Sequence, residues 1–201
     1  MAKLQFTVDG VNYPATETKK ALEFIGKRWR KNARISLKMQ GRVNTGALYD
    51  SMKVFVGANQ HAMYVNITPS VDYWEFVDKG VQGATSNKFG AEQARSPFKF
   101  GASAGRGRQP NGLISAIDRW TVQKNIQGTR NQRGQFVPRK SIVFAISGAI
   151  WHRGLKPSLF LSGTWKRLRK KAMNILAVAL GKDMANALRQ SLNKDENLET
   201  T

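Results

Sequence analysis

Three features of the sequence predict a fold that mixes helices with antiparallel strands. Apolar residues recur at helical spacing through a long segment near each end of the chain, and between Gly46 and Gly80 they alternate with a period of two. The composition, 41% hydrophobic and 23% charged, is that of a globular protein. At 201 residues the chain is long enough to bury a real core but too short to divide comfortably into two. A single domain is expected over residues 1–192, with a loop-rich insertion at about 81–138 and a frayed polar tail over 193–201.

Taken in order, Leu4, Phe6 and Val8 alternate with polar residues, and Asp9-Gly10 precedes Val11 and Tyr13, which reads as a short N-terminal hairpin. Thr16 opens a helix in which Leu22, Ile25, Trp29 and Ala33 recur at helical spacing to about Lys38, and Gly41 is its stop. The other face of that helix carries Lys19, Lys20, Lys27, Arg28, Lys31, Arg34 and Lys38. Met52, Val54 and Val56, then Met63, Val65 and Ile67, alternate on either side of Asn59-Gln60 and predict an antiparallel pair. The aromatic run Tyr73, Trp74, Phe76, Val77 ends at Gly80 and reads best as core packing.

From Val81 to Pro138 the chain is rich in Gly, Ser, Gln, Asn, Arg and Lys, with one amphipathic stretch, Leu113 to Val122. The flanks read as long loops, 105–108 and 128–134 being the most flexible in composition. Ser141 to His152 reads as a buried helix that is apolar round much of its circumference and ends at Gly154. Lys156-Pro157 breaks the chain, and Ser162 or Thr164 then caps a long last helix with Leu168, Ala172, Ile175, Leu176, Ala179 and Leu188 on one side.

Charge is the strongest functional signal. Thirty-three Lys and Arg face 13 Asp and Glu, a formal net charge of +20. Such a chain repels itself and attracts anionic surfaces, so nucleic acid, a membrane or an acidic protein is the natural counterpart. The candidates for anion or partner contact are Arg106, Arg108, Arg130 and Arg133 in the loops and Lys166, Arg167, Arg169 and Lys170 at the start of the last helix. Cations in that helix's first turns oppose its dipole, which points to an anion nearby. The chain has no cysteine, which excludes disulfides, thiolate metal sites and cysteine nucleophiles. Met1–Phe6 lacks the apolar run of a secretory signal and no stretch approaches a membrane span, so a soluble protein is expected.

No catalytic pattern stands up. Gly101-Ala102-Ser103-Ala104-Gly105 has the letters of a nucleophile elbow, but Arg106-Gly107-Arg108-Gln109-Pro110 follows where a helix is required. His61 and His152 have no second histidine at metal-ligand spacing. Asp72, Glu75 and Asp78 at i, i+3, i+6 can share a helical face, but acids turned toward a basic partner subunit explain them more economically than general acid work or metal binding. There is no phosphate-cradling Gly-x-x-x-x-Gly-Lys loop. An enzyme, a metal site and a cofactor are not expected.

Three segments, in order, carry a more specific signal. Thr45-Gly46-Ala47-Leu48-Tyr49-Asp50-Ser51 leads into a strand, Tyr73-Trp74-Glu75-Phe76-Val77-Asp78-Lys79-Gly80 follows, and Pro157-Ser158-Leu159-Phe160-Leu161 precedes the last helix. This order resembles the neck and tail-completion (head–tail connector) proteins of tailed bacteriophages. Thr45, Gly46, Leu48 and Ser51 match that family's first motif, and Tyr73, Glu75, Phe76 and Gly80 its second. Pro157, Phe160 and Leu161 match the third with Ser158 and Leu159 inserted. The resemblance implies an α+β fold, a small twisted antiparallel sheet packed against the long first and last helices with long loop insertions. It implies a structural virion subunit, assembled in the host bacterial cytoplasm, that forms a ring with copies of itself and joins a portal or adaptor to tail proteins. Its basic surface would meet acidic neighbours or genomic DNA in the channel. The other reading of the same charge is a nucleic-acid-binding module working by phosphate neutralisation and stacking, although no helix-turn-helix, zinc finger or RNP motif is present.

Overall fold

The computed structural model describes residues 5–8, 11–58, 62–101 and 111–199. In chain order the elements are β1 (Gln5–Val8), β2 (Val11–Pro14), α1 (Thr16–Met39), α2 (Ala47–Ser51), β3 (Lys53–Ala58), β4 (Met63–Thr68), α3 (Trp74–Lys79) and β5 (Val81–Gln82). They continue with α4 (Ala91–Ala94), α5 (Asn111–Gln123), β6 (Thr129–Arg130), β7 (Phe136–Val137), α6 (Arg139–Arg153), β8 (Gly154–Leu155) and α7 (Ser162–Glu199). The α+β class holds, with long first and last helices of 24 and 38 residues. Its sheet is not one layer, however: the described strands form separate antiparallel pairs, β1–β2, β3–β4, β5–β8 and β6–β7. The chain divides into two compact units, Met1–Trp74 with Leu159–Thr201, and Glu75–Ser158.

The first unit is organised by α1 and α7. The helical spacing expected of α1 buries Leu22, Ile25, Trp29, Ala33 and Leu37 on one stripe, and α7 answers with Leu168, Ala172, Ala179 and Ala187. Each large side chain withdrawn from water in this way stabilises by about 1.5–3 kcal/mol. The Trp29 and Trp165 rings lie 4.7 Å apart, and the Trp29 indole N–H donates to the Leu161 carbonyl at 3.0 Å. Near the other end of the contact the backbone N–H groups of Glu17 and Thr18 donate to the two carboxylate oxygens of Asp183, at 2.9 and 2.7 Å. The helices therefore run antiparallel.

Helix α1 begins at Thr16 as expected, and Asp183 caps it. The residue before the helix is Ala15, with no side-chain cap of its own, and Thr16 is already helical. The first N–H groups of a helix lack intrahelical acceptors, and a carboxylate there also meets the positive end of the dipole. Since Asp183 is only 3% exposed, this anion is held in the core by the donors it satisfies.

The β3–β4 pair forms with Val54 opposite Ile67 and Val56 opposite Val65, as the alternation predicts. It packs on α1 at Gly26, where an added Cβ would collide with the Val54 and Val65 methyls. The turn residues Asn59-Gln60, like the Asp9-Gly10 turn of the first hairpin, lie outside the described residues. The stop at Gly41 also holds, with the Arg42 N–H bonding back to the Leu37 carbonyl. On α7 the expected apolar side is only partly buried: Leu188 is 52% exposed, because the buried stripe runs through Asp183 and Ala187 instead.

In the second unit β5 and β8 pair around a buried glutamine. The Gln93 amide donates to the carbonyls of Val81 (2.8 Å) and Arg153 (2.7 Å), and its oxygen accepts the Phe89 N–H (2.9 Å). Phe100 packs on Trp151 with ring centroids 5.5 Å apart. Helices α5 and α6 pack together, tied where Arg139 binds the Asp118 carboxylate at 2.6 Å and the Thr121 hydroxyl at 3.0 Å. Two expectations are corrected here. Helix α6 buries only Val143, Ser147 and Trp151, one residue per turn, and leaves Phe144 57% exposed, so it is not buried all round. The segment 128–134 is not a bare loop: β6 and β7 close a hairpin whose turn is held by the Asn131 side-chain oxygen accepting the N–H groups of Arg133 and Gln135, both at 3.0 Å.

Asp183→Ala is expected to lower the free energy of unfolding by about 2 kcal/mol, since it leaves two buried donors unsatisfied. Urea denaturation reads this directly, and an unchanged midpoint would show that solvent already satisfies those donors. Gly26→Val forces the hairpin off α1 and should cost about 1–3 kcal/mol in the same assay; a gain in stability would contradict the close approach.

Candidate functional site

Residues one helical turn apart share a face, so Arg28, Asn32, Ile35 and Met39 form one row on α1, and Arg167, Leu168 and Lys171 lie within one turn of α7. These rows border an open groove of about 530 Å³. Its cations are Arg28, Arg167 and Lys171, its apolar lining includes Ile35, Met39 and Leu168, and no carboxylate lines it. Met39 is 82% exposed, an uncommon position for a large apolar side chain. A second hollow of about 420 Å³ on the same side of α1 shares Arg28 and Asn32 and adds Phe24, Lys27 and Lys31.

Ion pairs among the described residues include Lys20–Glu17, Lys79–Glu75, Arg95–Glu92 and Arg139–Asp118; none of these involves a cation of the groove. Of the basic face of α1, Arg34 is committed to the fold: its Nε–H donates to the Tyr49 carbonyl at 2.9 Å and its guanidinium sits 4.7 Å from the Tyr49 ring centre. The rest of that face is exposed.

Of the residues singled out in the sequence, Lys166, Arg167, Arg169 and Lys170 all lie exposed on α7, but only Arg167 enters the groove. Arg130 and Arg133 are exposed on the β6–β7 hairpin, where the Arg130 guanidinium closes onto the Gly134 carbonyl at 2.8 Å. Arg106 and Arg108 lie outside the described residues, as do Ser103 and His61. Asn32, Ile35 and Met39 were not singled out. Their spacing from Arg28 could have found them, but an apolar residue at the edge of a basic face reads first as core.

The three motif segments occupy joints of the chain. Gly46 starts α2 with φ +84°, Leu48 is buried, and the Ser51 hydroxyl donates to the Leu48 carbonyl at 3.0 Å. Gly80 ends α3 at φ +72°, where a Cβ would stand 2.6 Å from the Leu155 carbonyl oxygen and 2.7 Å from the Pro157 nitrogen. Phe160 is wholly buried and Leu161 nearly so at the entrance to α7. Residues Thr45 to Ser51 and Pro157 to Leu161 are thus turn and anchor positions.

The aromatic segment behaves differently from the core packing expected of it. Tyr73 remains 45% and Phe76 41% exposed, although Phe76 also meets Phe98 at 4.2 Å between ring centres. The three acids are not presented together either: Asp78 is buried, while Asp72 is exposed ahead of α3 and Glu75, partly exposed, pairs with Lys79 at 2.7 Å. Among the described residues no three His, Asp or Glu side chains are grouped to hold a metal, and no helix is long and apolar enough to cross a membrane. Comparison with protein-family models, with curated proteins and with solved structures finds no match.

Gly80→Ala combines a left-handed backbone with a clash against two backbone atoms and should destabilise by more than about 2 kcal/mol. A thermal melt within a degree of the parent would refute this account of the motif.

Proposed function

We propose that this chain is a structural subunit of a bacteriophage neck or tail junction, a connector or tail-completion protein that joins portal or adaptor to tail in a ring with copies of itself. The observation that carries the reading is a second apolar stripe on α7. Met173, Leu180, Met184 and Leu188 follow one another at helical spacing on a face other than the buried one, and each is at least 42% exposed. With Leu192, 63% exposed, they make an apolar surface of a kind a monomer seldom leaves in water. Such a surface calls for protein cover rather than for a substrate.

The order of the three motifs supports the same reading: the first follows α1, the second closes α3 at Gly80, and the third leads into α7. A basic nucleic-acid-binding module is the second reading, favoured by Lys166, Arg167, Arg169 and Lys170, which lie side by side and enter no ion pair among the described residues.

Negative-stain electron microscopy of the purified protein, alone and mixed with portal and tail proteins from the same genome, separates the two. Rings, or complexes capped by a partner, are the expected result. Dispersed monomers that ignore every partner and bind DNA with a steep salt dependence would replace the connector reading with the nucleic-acid one.

A further inference from the structure

The groove between α1 and α7 and the exposed edge of α3 are complementary in chemistry. The groove presents Arg28, Arg167 and Lys171 around Ile35, Met39 and Leu168. The segment that leads into and begins α3 carries, within five consecutive residues, the carboxylates of Asp72 and Glu75 and the rings of Tyr73 and Phe76, all at least partly open to solvent. We infer that the α3 edge of one copy docks in the α1–α7 groove of the next, a head-to-tail contact between copies of this chain; the inference deepens the ring-subunit reading and rests on it.

Net charge argues for this occupant. A chain of +20 that binds itself must set its few acids against its cations, or repulsion opposes the contact. Only 13 residues are acidic, and three of them, Asp72, Glu75 and Asp78, fall within seven positions beside Tyr73, Trp74 and Phe76. Asp78 is buried, which leaves Asp72 and Glu75 to face outward. Groove against groove would set Arg28, Arg167 and Lys171 against their own copies, so a two-fold symmetric contact at this surface is disfavoured. Two different surfaces that fit each other make a heterologous contact, the kind that propagates into rings or filaments.

The apolar parts match as well. A methionine at the mouth of the groove adapts its shape and makes favourable sulfur–ring contacts, and guanidinium groups stack on aromatic faces. Duplex DNA would use the cations but has no use for Ile35 and Met39. The Glu75–Lys79 pair is no obstacle, since an ion pair with both partners about 40% exposed holds only weakly and can exchange for an arginine across the interface.

The test uses the full chain in two variants: Arg28→Gln with Arg167→Gln and Lys171→Gln in the groove, and Asp72→Lys with Glu75→Lys on the α3 edge. Sedimentation velocity of the parent at moderate ionic strength should show species larger than the monomer. Each variant alone should self-associate on the order of 100-fold more weakly. Mixed in equal amounts they should form a 1:1 complex and nothing larger, because each retains one intact surface, and that rescue also proves both are folded. A parent that stays monomeric, a variant that assembles like the parent, or a mixture that does not pair overturns the inference. Rings that persist in both variants would overturn this interface while leaving the connector reading standing.

Discussion

The start of α1 is closed by a carboxylate that lies 166 residues further along the chain. Asp183 accepts two backbone N–H groups there, and much of the first unit follows from that contact together with the apolar seam beside it. The pair of bonds sets the register between the two long helices, and the Trp29–Leu161 bond with the Trp29–Trp165 stack sets it again further along. With both helices aligned, Gly26 stands where the β3–β4 hairpin can lie against α1. The row from Arg28 to Met39 then stands across the groove from Arg167 and Lys171. A carboxylate with only 3% of its surface exposed is tolerable because both its oxygens are bonded; without them the cost would fall on the packing itself.

The polar groups of the molecule thus fall into two kinds. Asp183, Gln93, Thr121 and Arg34 are used inside the fold, each holding backbone or side chains in register. The exposed cations of α1 and α7 serve no such purpose, and neither do the exposed Met173, Leu180, Met184 and Leu188. A surface that is both strongly charged and patched with large apolar side chains is poorly suited to a solitary protein. The charge keeps copies apart at long range but is screened beyond about 8 Å at physiological salt, so short-range contacts of the right pattern can still form.

Much of this architecture was legible in the residues. The 3.6-residue period of Leu22, Ile25, Trp29 and Ala33 determined α1, the alternation of Val54, Val56, Val65 and Ile67 determined the central hairpin, and Gly41 and Gly154 marked helix ends. These succeed because period and backbone freedom are local properties of the chain. The aromatic segment and α6 were misread for a related reason: apolar content indicates that a face can be buried, not whether a neighbour arrives to bury it. Tyr73, Phe76 and Phe144 are apolar or aromatic and yet exposed.

The candidate site was legible only as charge. Composition by itself determined that the protein is strongly basic and free of cysteine chemistry, and local patterning determined where the long helices lie. Only the tertiary structure decided that an aspartate deep in α7 caps α1, that a glutamine in α4 holds a strand pair together, and that Arg28 and Arg167 meet across one groove. Hydrogen bonds and grooves between distant segments depend on the register of packing, and packing register is set by the summed fit of many side chains. No window of neighbouring residues contains that information.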